Sequence, residues 1–198
     1  MNLRLERLLA VLALAVLIPA LAWGADAVPD HYKGLFFDAA RAGRADLLEG
    51  MIKDGVPVDL RDDHGYTALI LAAYDDQPAT VDALLALHAD PCAADQRGNT
   101  ALMGVAFKGD VAIAQRLVGR CDVNARNHVG QTAVMMAALV GHADIVRLLA
   151  QRGADLTLKD ASGHTADSVA RQQGNQAMTA LLAQLEQGAS APTPLPNR

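Results

Sequence analysis

Aromatic residues are scarce in this sequence. Phe, Trp and Tyr together make up 4% of its 198 residues, although 52% of the residues are apolar. Most of the apolar content is Ala and Leu. β-Sandwiches favour β-branched and aromatic residues, whereas Ala and Leu are strong helix formers. The composition therefore predicts small helices that pack closely on one another and argues against a β-sandwich.

Runs of basic residues and recognisable catalytic motifs are also absent from the sequence. The formal net charge is −5, and removing a segment with Arg4, Glu6 and Arg7 would leave −6. Nucleic-acid-binding proteins concentrate Lys and Arg on one surface, so nucleic acid is not an expected partner. The sequence also lacks a Gly-rich phosphate loop, a nucleophile elbow and an HExxH metal motif. We therefore expect a protein that is not an enzyme and needs no cofactor, metal ion or small-molecule substrate.

Residues 1–22 have the composition of a secretory signal peptide. Arg4 and Arg7 precede an apolar stretch at residues 8–18, and Ala20-Leu21-Ala22 then matches an A-x-A-like cleavage site. Cleavage after Ala22 fits this pattern best, and cleavage as late as residue 27 is also permitted. The alternative is an uncleaved membrane anchor, although the apolar stretch is shorter than the roughly 20 residues of a spanning helix. Export to the bacterial periplasm is predicted, with inner-membrane anchoring as the alternative.

A repeated pattern fills most of the remaining sequence. Thr67, Thr100, Thr132 and Thr165 each follow Gly by two positions and are separated by 33, 32 and 33 residues. After each threonine comes an Ala-rich stretch, a short break and a second apolar stretch. A threonine hydroxyl can accept a hydrogen bond from the first turn of a helix, so the pattern predicts four N-caps followed by pairs of helices.

This pattern resembles the ankyrin-repeat family. The best match is residues 130–155, which contain Thr132, Ala137-Ala138, Gly141-His142, Ile145-Val146 and the exit turn Gly153-Ala154-Asp155. The resemblance covers residues 32–185 and implies an all-α solenoid of about five helix–turn–helix repeats with short β-hairpin-like loops. The predicted repeats are residues 32–58, 59–91, 92–123, 124–156 and 157–185. The first and last depart most from the pattern, as expected of capping repeats.

Three departures from the family pattern carry structural expectations. The residue after each threonine is Ala where the family has Pro, and the histidine that usually follows is replaced by Ile70, Met103, Met135 and Ser168. That histidine ties the helix to the hairpin in the family, so we expect apolar packing to replace it. The third repeat is also one residue short near Gly119-Arg120-Cys121, which predicts a tighter helix exit.

The resemblance also implies where a partner protein would bind. Ankyrin proteins usually dock partners on a concave surface made of hairpin tips and the outward side of each first helix. The corresponding residues in repeats two to four are Asp63, His64, Tyr66, Tyr74, Asp75, Gln96, Arg97, Asn99, Phe107, Lys108, His128, Val129, Gln131, Leu139 and Val140. In repeat five they are Ala161, Ser162, His164, Gln172 and Gln173. Aromatic residues are enriched at binding hot spots, which makes Tyr66, Tyr74 and Phe107 the expected docking centre. The alternative is that Phe107 and Leu139 pack between adjacent first helices and expose little.

The histidines and cysteines have structural interpretations. His142 occupies the family's break position and is predicted to be structural, whereas His64, His128 and His164 lie in different repeats at different offsets, which disfavours a shared metal site. Cys92 and Cys121 lie in the exit loops of consecutive repeats, three positions out of register. They could form a disulfide, since the chain is predicted to be exported, or remain two largely buried thiols.

The predicted function is a non-enzymatic scaffold that binds another protein in the periplasm. The resemblance suggests that it inhibits, protects or stabilises this partner, as an immunity-type inhibitor or a peroxide-defence accessory. A membrane-tethered adaptor is the alternative, and an enzyme concealed in the repeats is disfavoured because no titratable groups align. Residues 187–198 contain Gly188, Pro192, Pro194 and Pro196 and are predicted to form a disordered tail.

Overall fold

The computed structural model describes residues 28–189. The predicted signal peptide, its cleavage sites and residues 190–198 of the predicted tail lie outside these residues. Within them, ten α-helices follow one another as five pairs. They are α1 (Asp30–Arg41), α2 (Ala45–Lys53), α3 (Ala68–Tyr74), α4 (Pro78–Ala86), α5 (Ala101–Lys108), α6 (Val111–Leu117), α7 (Ala133–Val140), α8 (Ala143–Gln151), α9 (Ala166–Gln172) and α10 (Gln176–Ala189). The predicted all-α helical solenoid is confirmed.

The ends of the solenoid differ from the predicted boundaries. Helix α1 begins at Asp30, two residues before the predicted start of the first repeat. Helix α10 is 14 residues long and ends at Ala189, so residues 187–189 are helical although we expected them in the tail. Gln187-Gly188-Ala189 contains no proline, so these residues can continue the helix.

The repeated threonines begin the first helices, as predicted, with one exception. The hydroxyls of Thr67, Thr100 and Thr165 accept hydrogen bonds from the backbone N–H three residues later, at 3.3, 3.4 and 3.2 Å. Thr132 has the same extended conformation before α7 but makes no such bond. Its hydroxyl is buried and has no hydrogen-bond partner among the described residues. The N-cap prediction is therefore confirmed at three of the four positions.

The hydrophobic core runs through all five pairs of helices. Small residues on the first helices, such as Ala72, Ala106 and Ala138, have no exposed surface. The second helices contribute larger side chains to the same cluster, including Leu84 and Leu149, which are 1% and 0% exposed. Alanine lets neighbouring first helices approach closely, while the leucines fill the space between the repeats. No pair of helices could enclose this core alone, so the repeats depend on their neighbours.

Each hairpin loop is stabilised by one side chain that the sequence analysis did not single out. Asp62, Asp95, Asn127 and Asp160 lie five residues before the threonines of their repeats. In each case the Oδ1 atom accepts hydrogen bonds from two backbone N–H groups of the same loop, at 2.8–3.1 Å. Short Asx side chains favour turns for this reason. Their recurrence at a fixed offset was a signal available in the sequence.

Backbone hydrogen bonds also join successive hairpin loops. The N–H of Gln96 donates to the carbonyl oxygen of His64 at 3.0 Å, and the N–H of His128 donates to Arg97 at 2.9 Å. The N–H of Ala161 continues the series by donating to Val129 at 2.8 Å. We call these three contacts the loop ladder. It fixes the spacing of repeats two to five along the edge that carries the hairpin tips.

The replacements for the family's histidine behave in two different ways. Ile70, Met103 and Met135 are buried, as the expected apolar packing requires, with at most 7% of their surface exposed. The expectation is wrong for Ser168. Its hydroxyl accepts a hydrogen bond from the N–H of Thr165 at 2.8 Å and donates to the carbonyl oxygen of Thr165 at 3.0 Å. A short polar side chain three residues after the N-cap can reach back to it, so Ser168 completes a capping box.

The third repeat has the tighter helix exit that its missing residue predicts. Helix α6 has 7 residues, whereas the second helices of repeats two and four have 9 each. Val118 leaves the helix at once in an extended conformation, with ψ of 134°. The shortened exit brings Cys121 to Cys92, and the two residues form a disulfide with Cα atoms 5.6 Å apart. Of the two alternatives left open by the sequence, the structure contains the disulfide.

Candidate functional site

A groove of about 620 Å³ lies on the concave side of repeats one to four. It is bordered by the outward side of the first helices and by the loops of repeats two and three. The lining residues are Arg41, Tyr66, Ile70, Leu71, Tyr74, Asp75, Asp95, Arg97, Asn99, Thr100, Met103, Gly104, Phe107 and Met136. Six of these were predicted from the sequence as partner-binding: Tyr66, Tyr74, Asp75, Arg97, Asn99 and Phe107. The structure therefore brings the aromatic part of the predicted surface into one groove.

The aromatic side chains of the groove are open to solvent. Tyr74 and Phe107, near the ends of adjacent first helices, are 42% and 40% exposed. The proposed alternative, in which Phe107 packs between helices and exposes little, is therefore wrong, although Leu139 is half-buried. Lys108 holds its ammonium group 5.1 Å from the centre of the Tyr74 ring. Two exposed rings with a cation over one of them form an amphipathic surface suited to contact with another molecule.

The remaining predicted residues surround the groove without lining it. Asp63 and His64 are exposed on one loop tip, and the side chain of Gln96 donates to the carbonyl oxygen of Asp63 at 2.8 Å. In repeat four, Val129 and Val140 are 53% and 44% exposed. The other members of this set are His128, which is exposed, and Gln131, whose side chain accepts from Asn127 at 3.1 Å. In repeat five, Ala161, Ser162, Gln172 and Gln173 are exposed and His164 is half-buried.

Eight lining residues were not predicted from the sequence as partner-binding: Arg41, Ile70, Leu71, Asp95, Thr100, Met103, Gly104 and Met136. Arg41 comes from the first repeat, to which we assigned no surface residues. Its guanidinium lies 3.8 Å from the carboxylate of Asp62 and so borders the groove at that end. Met103, Gly104 and Met136 were assigned to the core or passed over, because an apolar residue or glycine on an Ala-rich helix carries no signal of exposure. The helical period places Gly104 and Met136 on the same face of their helices as Tyr74 on its own helix, and this relationship could have identified them.

Two of the four charged residues that line the groove, Arg41 and Asp95, are paired within the protein. Arg41 lies near Asp62, and the carboxylate of buried Asp95 accepts hydrogen bonds from the backbone of Arg97 and Asn99 and from the Asn99 side chain. Lys108 lies 4.0 Å from Asp76. The groove thus has an apolar floor with charged groups at its rim.

Two carboxyl groups in and near the loop of repeat five have lowered pKa values. This loop lies at the far end of the edge that carries the hairpin tips. Hydrogen bonds from the backbone N–H groups of His164 and Ser162 hold the pKa of the Asp160 carboxyl below its usual value. Asp155, in the preceding exit turn, has a lowered pKa because the hydroxyl and N–H of Thr157 donate to it. These shifts serve turn structure, since a carboxylate that accepts two N–H bonds is favoured in its charged form.

His142 has the structural role that its position predicts. Its Nε2 atom lies 3.0 Å from the carbonyl oxygen of Phe107, at the end of the preceding first helix. The contact connects repeats three and four on the side opposite to the hairpins. Across residues 28–189, no three His, Cys, Asp or Glu side chains are grouped so that they could hold a metal ion. None of the helices in this range is long and apolar enough to cross a membrane.

Comparison with known proteins agrees with the helical repeat architecture. A family model described as ankyrin repeats matches residues 36–127 and 102–192. Ankyrin repeat domain-containing protein 63 from Homo sapiens is 34% identical over 111 residues, which are 54% of this chain and 29% of that protein. Protein PhlB from Serratia liquefaciens is 38% identical over 107 residues, which are 53% of this chain and 47% of that protein. NF-kappa-B inhibitor alpha from Homo sapiens is 34% identical over 101 residues, or 48% of this chain and 32% of that protein.

This chain therefore aligns with less than half of the length of each of these relatives. The family model, in contrast, covers most of the chain, and its two matches together span the repeats. Ankyrin repeats are protein-interaction scaffolds and are typically not enzymes. The family model matches the part of the chain that forms the five helix pairs and their hairpin loops. The chain therefore belongs to the ankyrin-repeat family.

Proposed function

We propose that this protein is an exported scaffold that binds another protein through its concave groove and thereby modulates or protects it. The observation that carries this proposal is the pair of open aromatic rings, Tyr74 and Phe107, on adjacent first helices. Half-buried Tyr66 extends the same apolar surface toward the loops. Tyrosine and other aromatic side chains supply much of the binding energy of protein interfaces because they bury a large area at a small entropic cost.

The periplasm is the proposed compartment. A disulfide between Cys92 and Cys121 persists in oxidising compartments, and the predicted signal peptide at residues 1–22 would deliver the chain to one. A chain that kept its N-terminal segment would act in the same compartment as an adaptor tethered to the inner membrane. Intact-mass measurement of the exported protein distinguishes these forms, because cleavage after Ala22 removes a defined mass and anchoring removes none.

Inhibition, immunity or protection in peroxide defence are the modes of action we propose for the bound complex. One relative is by its name an inhibitor of another protein. A scaffold that covers the surface of its partner can block or shield that surface without chemistry of its own.

Affinity capture from periplasmic extract tests the binding surface. The purified chain and a variant with Tyr66→Ala, Tyr74→Ala and Phe107→Ala are compared by quantitative mass spectrometry of the recovered proteins. We expect the triple variant to lose the proteins that the unmodified chain enriches. A variant with Leu35→Ala and Leu47→Ala removes exposed apolar side chains from the first repeat and is the control. Equal recovery by the triple variant and the unmodified chain, at equal affinity, would show that the proposed surface is wrong.

A further inference from the structure

The floor of the groove contains a position without a side chain. Gly104 lies in the middle of α5, and the corresponding positions of the neighbouring first helices are Leu71 and Met136. All three residues line the groove. Because only the middle one lacks a side chain, the floor is lowest there, beside the ring of Tyr74.

Local structure does not require glycine at position 104. The residue is helical and does not have a positive φ, so any L-amino acid can adopt its conformation. A Cβ atom built there would have one neighbour within 4 Å, a ring carbon of Tyr74 at 3.4 Å, which is a contact distance. Glycine also destabilises a helix interior relative to alanine. The glycine therefore leaves an open space beside the Tyr74 ring without a structural need for it.

The groove also contains two charges that the protein does not pair. The guanidinium of Arg97 makes no hydrogen bond and has no carboxylate within 4.0 Å among residues 28–189, and the carboxylate of Asp75 has no partner there either. Asp75 directly follows α3, where the negative end of the helix dipole disfavours a carboxylate. Arg97 lies on a loop tip, at the other end of the first helices.

The positions of these charges set a minimum spacing for a complementary ligand. Asp75 follows the C-terminal end of α3, whereas Arg97 lies three residues before the N-cap of α5 in the next repeat, so their backbone positions are separated by at least the length of a first helix, about 10 Å for 7 residues at the helical rise of about 1.5 Å per residue. An extended chain advances about 3.3 Å per residue, so complementary groups must lie at least about three residues apart.

We propose that the groove binds an extended segment of another protein in which an acidic and a basic residue lie at least about three positions apart and flank an apolar residue. The acidic side chain pairs with Arg97, the basic side chain pairs with Asp75, and the apolar side chain fills the space at Gly104. This inference rests on the proposed function, and it adds the chemistry of the partner segment.

Selection from a phage-displayed library of random heptapeptides tests the inference on the purified, disulfide-bonded chain. We expect the unmodified chain to enrich peptides with the acidic–apolar–basic pattern. Gly104→Leu, which fills the space, should weaken binding of a selected peptide by about tenfold to a hundredfold, since it removes one apolar contact or displaces a charged pair. Gly50→Leu changes an exposed helical glycine outside the groove, with no atom within 4 Å of its Cβ position, and should leave binding unchanged.

Reversing the charge at position 97 is the most specific test of the proposed pairing. Selection on Arg97→Glu should enrich a basic residue where the unmodified chain enriches an acidic one, and Arg152→Glu, an exposed arginine in another repeat, should reproduce the original pattern. Enrichment of the same peptides by the unmodified chain, Gly104→Leu and Arg97→Glu would overturn the inference, as would the absence of any enriched pattern. Neither result bears on the affinity capture, so loss of capture by the aromatic triple variant would still support the proposed function.

Discussion

Cys92 and Cys121 connect the exit loops of repeats two and three through a disulfide, with their Cα atoms 5.6 Å apart. Neither residue lines the groove, and Cys92 is exposed. The bond is therefore a connection between neighbouring repeats that leaves the binding surface free. Its position beside the shortened helix α6 places it where the exit of repeat three departs from the exits of its neighbours.

Reduction of this disulfide should lower the stability of the protein without closing the groove. The residues are 29 positions apart, and in the chain-entropy model a loop of that length contributes roughly 3–4 kcal/mol to the free energy of unfolding. Urea unfolding with and without a reductant measures the difference. The double variant Cys92→Ser/Cys121→Ser should unfold at the reduced midpoint under both conditions. An unmodified chain whose midpoint is insensitive to reductant would contradict this prediction.

The four N-cap threonines should respond unequally to the isosteric substitution by valine. Thr67→Val removes a hydroxyl that accepts a hydrogen bond from Ile70 and should lower the free energy of unfolding by about 1 kcal/mol. Thr132→Val removes a buried hydroxyl that makes no such bond, so it should be close to neutral or stabilising. Thermal unfolding of the two variants provides the comparison. Equal losses at both positions would mean that the Thr132 hydroxyl is engaged after all.

Replacement of His88 by glycine should stabilise the second repeat. His88 has a φ of 64°, and the residues at the same exit in repeats one and four are Gly55 and Gly153, with φ of 103° and 85°. A residue with a Cβ atom in this left-handed region lowers the stability of the folded protein by roughly 1–2 kcal/mol. Part of the gain from removing it is offset, because glycine loses more chain entropy on folding. We expect a gain of about 0.5–1 kcal/mol in His88→Gly, measured by denaturant unfolding. Gly153→Ala is the reverse control and should destabilise; a loss of stability in His88→Gly would refute the argument.

The loop of repeat five should contribute stability that depends on pH. Hydrogen bonds from His164 and Ser162 lower the pKa of Asp160 in the folded protein, so its contribution is present above the ordinary carboxyl pKa of 3.8 and is lost as the pH falls through the lower folded value. In Asp160→Asn the amide oxygen can still accept both bonds but does not titrate. As the pH falls below about 4, the unmodified chain should therefore lose the stability that its Asp160 carboxylate provides, whereas Asp160→Asn should not lose it.

Unfolding midpoints at several pH values measure this difference. Asp54→Asn changes an exposed carboxylate whose side chain accepts no hydrogen bond from the described residues, and it serves as the control. A stability difference between Asp160→Asn and the unmodified chain that stays constant down to acidic pH would show that the Asp160 bonds do not depend on its charge.

The sequence was sufficient to predict the helices, the repeat order and the part of the surface that carries aromatic residues. These features recur at a fixed spacing, as Thr67 and Thr100 show, or stand out by residue type, as Phe107 does. The disulfide was undecided because sequence spacing does not give the distance between two exit loops, which depends on how early α6 ends. Gly104 was missed because its significance lies in the side chains of the two neighbouring repeats. Ser168 was misjudged because a single position cannot distinguish apolar packing from a capping box.

The loop ladder affects how freely this surface can change. Its contacts between Gln96 and His64, His128 and Arg97, and Ala161 and Val129 use main-chain atoms only. Substituting a side chain at these positions does not remove a donor or acceptor, unless proline is introduced at Gln96, His128 or Ala161. New specificities can thus arise by mutation of the exposed tips while the framework beneath them is retained, which makes this edge a natural starting point for redesigning what the protein recognises.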